Sequence, residues 1–297
     1  MKLNPLNTRI GLALGGGAAK GIAHIGALKA FEEEQIRIHC ISGTSAGALI
    51  ASYYAFGRPA DSILSICSTL NLSKIINFTL KRGGLFSTDS IREMIQRDLG
   101  DCRIEDADIP LAICATDIET GEQLIFREGN LADAVCASMA VPGLFVPVEI
   151  DGRILVDGGL VENVPISPLE DMGAGIIVAI DLSHVGRYPK PDDMIDVISN
   201  AINIGIDFNT RKQLKKADIA LPLDLSRYSL TNNADCVDEL YAEGYHPMKK
   251  KIHRVLWYKR VNIFFCLLKA AGKLLPLKVP EIIKDLKRHT LLTRNRS

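Results

Sequence analysis

Gly43-Thr44-Ser45-Ala46-Gly47 dictates more local architecture than any other stretch of this 297-residue chain. Apolar Ile38, Cys40 and Ile41 lead into it as a strand would, and Ala48-Leu49-Ile50-Ala51 with Tyr53 to Phe56 lead out as a helix. A serine on a sharp strand-to-helix turn sits in strained backbone geometry, which glycines two positions before and after make attainable. Its hydroxyl then stands at the positive end of a helix, where an oxyanion is stabilised. Because G-x-S-x-G arises by chance in about one chain in ten of this length, the surrounding sequence decides.

Upstream, Arg9 to Leu14 reads as a short buried strand that runs straight into Gly15-Gly16-Gly17-Ala18-Ala19-Lys20-Gly21. Helical spacing follows through Ile22, Ile25, Leu28, Ala30 and Phe31. Downstream, helices are expected from Pro59 or Asp61 to Leu70, from Thr88 or Asp89 to Leu99, and over Leu131 to Met139. Lys81 to Leu85 reads as a flexible connector. Strands are expected at Leu111 to Ile118, Gln123 to Phe126, Ile176 to Ile180 and Ile219 to Leu223. Val148 to Ile150 and Arg153 to Val156 form a hairpin-like pair around Asp151-Gly152. Strands alternating with helices imply an α/β fold, a three-layer sandwich around a mainly parallel central sheet.

A strand, a glycine loop and a helix in succession aim backbone N–H groups at an anion. A dinucleotide fingerprint requires G-x-G-x-x-G and an acidic residue at the end of the second strand. Here Lys20 occupies the third glycine position, and the second strand ends in a serine turn. An oxyanion hole for acyl transfer fits better, because loops following the first two parallel strands share one sheet edge. A loop serving only close packing is the third reading. Lys20 either orients the loop, meets an anionic headgroup or is a solvated surface lysine.

A serine nucleophile needs a base within hydrogen-bond reach. Of the six histidines, His24 lies among apolar neighbours on the first helix and reads as structural, while His253 and His289 belong to a basic tail. His184 is the best histidine candidate. Asp157 is better placed: it ends the apolar run Ile154-Leu155-Val156 and precedes Gly158-Gly159, which let a backbone or ligand come close. A D-G-G hairpin turn without chemistry is the alternative.

The seven cysteines are scattered, odd in number and contain no C-x-x-C pair, which argues against a disulfide framework or zinc site and for a reducing compartment. Met1 to Thr8 is polar and does not have the pattern of a secretory signal. The formal net charge of zero hides an asymmetry. From Met248 onward, 14 Lys and Arg face only Glu281 and Asp285, so residues 1–247 carry a matching acidic excess. Residues 252 to 275 read as an amphipathic helix (Ile252, Val255, Leu256, Ile263, Phe264, Leu267, Leu268), with Lys259, Lys269 and Lys273 off the apolar face. A second segment begins at Ile282, Ile283 and Leu286. Such a tail either lies on an anionic lipid surface or packs on the body or a second copy.

Together, Leu14-Gly15-Gly16-Gly17-Ala18-Ala19-Lys20-Gly21, Gly43-Thr44-Ser45-Ala46-Gly47 and Asp157-Gly158-Gly159 resemble, in order and spacing, the patatin-like phospholipases, most closely their compact bacterial branch. Ala137 to Pro147 and Leu155 to Pro165 also resemble that family's sequence before and across its catalytic aspartate. The resemblance covers roughly residues 9 to 182. It implies a patatin-like fold and a Ser-Asp dyad, with Ser45 as nucleophile, Asp157 as general base, and the N–H groups of Gly16, Gly17 and Ala18 as oxyanion hole. The family usually has glycine where Ala18 stands and often arginine where Lys20 stands.

The implied activity is serine lipid acyl hydrolysis of the phospholipase A or lysophospholipase type. Alternatives are an acyltransferase with the same dyad, or a non-catalytic membrane-associated regulator. A catalytic domain is expected over 1–247 and a basic helical extension over 248–297. Expected partners are a phospholipid or lysophospholipid substrate and an anionic membrane surface reached through the C-terminal segment. No nucleic acid, cofactor or metal is expected, and the oligomeric state is open. The expected location is cytoplasmic, peripheral on the inner face of a membrane where the tail binds lipid.

Overall fold

The structure, a computed structural model, describes residues 8–68, 77–78, 86–183, 188, 190–228 and 234–270. In chain order its first half contains β1 (Ile10–Leu14), α1 (Ile22–Glu33), β2 (Cys40–Thr44), α2 (Ala46–Ala55), α3 (Ala60–Ser68), β3 (Asn77–Phe78), β4 (Phe86–Ser87), α4 (Asp89–Leu99), β5 (Leu111–Asp117), β6 (Gln123–Phe126) and α5 (Leu131–Ser138). The second half contains β7 (Val148–Ile150), β8 (Arg153–Asp157), α6 (Gly159–Glu162), α7 (Ser167–Asp171), β9 (Ile176–Asp181), α8 (Met194–Gln213), β10 (Ile219–Pro222) and α9 (Val237–Ala270).

The main sheet has the order β10-β9-β1-β2-β5-β8-β7, with β6 paired to β5. From β10 to β5 every pairing is parallel, and β6, β7 and β8 add antiparallel pairings at one side. Alternation within the buried strands sorts side chains to the two faces. Ile10, Leu12 and Leu14 of β1, with Ile176, Val178 and Ile180 of β9, join the larger core under α1 to α5. Ala13, Ile177 and Ala179 face the other way, with Val164, Ile166 and Leu169. Small side chains on that second face let the short α6 and α7 lie close to the sheet. The result is the expected three-layer α/β arrangement.

One register decides where chemistry happens. β2 runs parallel to β5 and ends with Thr44 opposite Cys114. β8 runs antiparallel to β5 and ends with Asp157 opposite Ala115. Because β6 occupies the other edge of β5 over Ile113–Thr116, β2 and β8 must share one edge and meet head to head. The residue after β2 is Ser45; the last residue of β8 is Asp157.

The short β3, β4, α6 and α7 were not expected from the sequence, and two long helices differ most from that reading. α8 was not anticipated, although Val197, Ile198, Ile204 and Phe208 recur at helical spacing. α9 runs unbroken through the expected boundary at 247/248, with Pro247 inside it. It docks on α1 through two glycines: a Cβ at Gly26 would stand 2.0 Å from the Tyr241 carbonyl oxygen, and one at Gly244 1.7 Å from that of Ala23. Lys249 Nζ reaches Glu33 and Glu34 at 2.8 and 2.9 Å. Met248, Ile252, Val255 and Tyr258 are buried in the core. Of the two readings of the tail, this part packs on the body; Ile263 and Phe264 beyond it are exposed. The connector at 81–85, His184 and the segment from Ile282 to Leu286 lie outside the described residues.

Candidate active site

Ser45 occupies the turn between β2 and α2 with φ 54° and ψ −125°, a left-handed φ that a non-glycine residue adopts at a cost of about 1–3 kcal/mol. The turn is tight because Gly43 and Gly47 let backbones touch. A Cβ at Gly43 would be 2.4 Å from the Gly47 carbonyl oxygen, and one at Gly47 would be 2.1 Å from that of Leu14. Ser138 Oγ, buried at the end of α5, accepts the Ser45 N–H at 2.8 Å and donates to the Cys114 carbonyl at 2.6 Å. One hydroxyl thus ties the strained turn to the strand junction.

Asp157 is held from both sides. Its N–H donates to the Ala140 carbonyl at 2.9 Å, and its Oδ1 accepts the Gly159 N–H at 2.7 Å. Burial pushes the carboxyl up from 3.8 to about 6, opposed by the Gly159 N–H and by the Ser45 hydroxyl, which interacts with it directly. Gly158 passes so close to β5 that a Cβ there would be 2.3 Å from the Cys114 carbonyl oxygen. Ser45 and Asp157 are both buried, 7% and 8% exposed. The structure therefore brings together the serine and the aspartate that the sequence singled out.

The glycine loop lies alongside. A Cβ at Gly16 would stand 3.2 Å from Ser45 Cβ and 2.7 Å from Asn163 Oδ1. Gly15 N–H donates to the Ile180 carbonyl, and its own carbonyl is bound by His24 Nε2 at 2.7 Å. Burial drives His24 down to about 4, so it is a neutral structural support for the loop. The Gly16 amide, expected as an oxyanion donor, is already committed to the Asn163 main-chain carbonyl at 3.2 Å. The Gly17 and Ala18 amides have no acceptor among the described residues, and Gly17 is half-buried while Ala18 is exposed. Ala18 has φ 51°, which accounts physically for a glycine preference at this position.

Lys20 is buried, contrary to a solvated surface lysine. Desolvation lowers its pKa, and the carboxylates of Asp224 and Asp207 raise it. Gly21 makes room for α2: a Cβ there would meet Ala46 Cβ at 3.1 Å. Among the described residues no group of three or more His, Cys, Asp and Glu side chains is arranged to hold a metal ion.

Ser138 and Asn163 received no role in the sequence reading, although both lie in the quoted flanks. Each acts through main-chain groups far away in sequence, which no local pattern encodes. Ser138→Ala strands the Ser45 N–H and the Cys114 carbonyl, a loss of about 1–3 kcal/mol for each buried group left unpaired. Its kcat is expected to fall by up to about 100-fold through misplacement of the nucleophile, with KM unchanged. Steady-state kinetics on a soluble ester read this split; an unchanged kcat would remove Ser138 from the account.

Residues 12–170 match the family described as Patatin-like phospholipase. An uncharacterized NTE family protein of Mycobacterium tuberculosis is 32% identical over 198 residues, which are 66% of this chain and 55% of that protein. Patatin-like phospholipase domain-containing protein 6 of Homo sapiens is 34% identical over 191 residues, 62% of this chain and 14% of the human protein. The match thus spans about half the length of the mycobacterial relative. The crystal structure of VipD from Legionella pneumophila shares the fold, with a TM-score of 0.57 at 16% identity over 84% of this chain and 66% of that one.

Proposed function

Because the chain belongs to the patatin-like phospholipase family, whose profile covers more than half of it, we propose that it is a serine lipid acyl hydrolase of the phospholipase A or lysophospholipase type. The observation that carries this reading is the meeting of Ser45, on its left-handed turn, with the buried carboxylate of Asp157.

Asp157 takes the Ser45 proton as Oγ attacks the ester carbonyl. The Gly17 and Ala18 amides hold the resulting oxyanion, each worth about 2.7–4 kcal/mol in comparable sites. Gly16, through its bond to Asn163, fixes the loop that presents them. Asp157 then protonates the departing alcohol or lysophospholipid, and later deprotonates the water that releases the fatty acid from the acyl-serine. Since α9 contributes to the core as far as Tyr258, the catalytic unit on this reading extends past residue 247.

A base must be unprotonated to act. With Asp157 at about 6, acylation is expected to be flat above that pH and to fall about tenfold per pH unit below it, as a single-proton limb. A kcat/KM profile on a soluble ester tests this, and a limb near pH 4 would contradict a desolvated base. The activity itself is tested by mass spectrometry of lipid products from phosphatidylglycerol, phosphatidylcholine and their lyso forms. Free fatty acid is the expected product. Acyl ester appearing only with an added alcohol acceptor would replace hydrolysis by transfer, and no turnover with any of them would favour a non-catalytic role.

A further inference from the structure

The outward face of α8 is apolar and faces solvent. Met194, Val197, Ile198, Ile204 and Phe208 are 75%, 53%, 49%, 52% and 62% exposed. Their spacing, completed by the exposed Ala201 and Gly205, is one continuous stripe along a helix. Scattered single apolar residues on a surface need no explanation, but a contiguous stripe does.

The opposite face of α8 is fixed to the site. Gln213 Nε2 donates to the Val161 carbonyl of α6 at 2.8 Å. A Cβ on Gly159, two residues after Asp157, would stand 3.6 Å from Ile206 Cδ1. Asp207 binds the Tyr188 hydroxyl and lies near Lys20. α8 is therefore a wall of the catalytic site, with its stripe on the far side, about one helix diameter, roughly 10 Å, from the dyad's neighbours.

Charge is arranged at one end. Arg211 and Lys212 close α8, Lys215 and Lys216 follow in the next turn, and all four are exposed. Lys212 Nζ sits 4.0 Å from the centroid of the Phe208 ring, so apolar and cationic groups form one surface. Asp192 and Asp193 precede the other end, so the cationic cluster stands at the Arg211–Lys216 end. No described helix is long and apolar enough to cross a membrane; a helix that is apolar on one face and basic at its edge lies in the interface plane.

We propose that α8 is an interfacial helix whose stripe enters the headgroup–acyl boundary of a phospholipid leaflet while Arg211, Lys212, Lys215 and Lys216 meet anionic headgroups. This rests on the lipid acyl hydrolase reading and deepens it: the wall of the site would lie against the surface that supplies the substrate. A second copy of the chain is a poorer occupant. The four cations clustered at one end of the stripe complement an anionic leaflet, which an apolar seam between two copies does not call for.

The test uses full-length wild type, Ile204→Asp/Phe208→Asp and Lys212→Glu/Lys215→Glu. Each is floated with phosphatidylcholine vesicles with or without phosphatidylglycerol, and labelled separately with a fluorophosphonate in the absence of lipid. Wild type is expected to float with phosphatidylglycerol-containing vesicles. The apolar variant should lose at least about tenfold in partition, and the charge variant should lose most of its preference for the anionic lipid. Both should label at Ser45 at the wild-type rate. Undiminished flotation of both variants, or none by wild type, overturns the inference while normal labelling leaves the enzymatic reading intact. Absence of Ser45 labelling in wild type removes the enzymatic reading, whatever the vesicles show. A wild-type dimer that Ile204→Asp/Phe208→Asp dissociates, with no flotation by either, assigns the stripe to self-association and overturns the lipid assignment.

Discussion

Ser45→Ala should reduce ester hydrolysis by roughly 10⁴–10⁶-fold, the scale on which serine hydrolases lose rate when the nucleophile is removed. The remaining rate would come from substrate binding and the loop amides, which still polarise a carbonyl toward water. Stability should change little. The Ser45 N–H keeps its bond to Ser138 Oγ, alanine meets the same left-handed φ, and only one hydroxyl is lost from the pair with Asp157. Rates measured beside thermal unfolding separate this from misfolding. A folded Ser45→Ala protein with more than about a tenth of wild-type activity would place the chemistry elsewhere.

Asp157→Asn should cost about 10⁴-fold in rate, the scale on which Ser-His-Asp triads lose rate without their carboxylate, yet leave a more stable protein. The folded state holds the Asp157 proton up to a pH of about 6, while the ordinary value is 3.8. A raised carboxyl binds protons more tightly when folded, so wild-type stability from this group is fully present below 3.8. It declines as pH rises through about 6. Asparagine never ionises. The variant should therefore match wild type at acid pH and exceed it by on the order of 3 kcal/mol above pH 6. The geometry supports tolerance, since an asparagine oxygen can still accept the Gly159 N–H. Denaturant melts at several pH values read the effect. A variant less stable than wild type at neutral pH would mean that the carboxylate is not stored at a cost for catalysis.

Much of this site is local in sequence and was legible there. The turn at Ser45 is written in Gly43 and Gly47, whose missing side chains are where Gly47, Leu14 and Gly43 backbones meet. Asp157 was found because an apolar strand ends in an acid and two glycines. The parallel order of β1 and β2 follows from two strand–loop–helix units in succession, and it puts the glycine loop beside the serine.

What was not legible depends on partners distant in the chain. Ser138 bridges Ser45 to Cys114 across 93 and 24 residues. The commitment of the Gly16 amide to Asn163 is set by how α6 follows β8, which spacing does not encode. Basic residues after Met248 suggested a separate tail, but Gly26 and Gly244 seat α9 on α1, and this pairing is visible only in three dimensions. α8 was missed despite its periodicity, because the polar turn residues before it and the short strand after it gave no anchor for its boundaries.

The central claim is that Asp157 activates Ser45. Its most direct test is labelling with a fluorophosphonate ester across pH 4 to 8, with the modified residue mapped by mass spectrometry in wild type and Asp157→Asn. The account predicts a single adduct on Ser45, forming at a rate that rises about tenfold per pH unit to a plateau above pH of about 6, and nearly absent in the variant. An adduct on another residue, or labelling of Asp157→Asn at the wild-type rate, would contradict it.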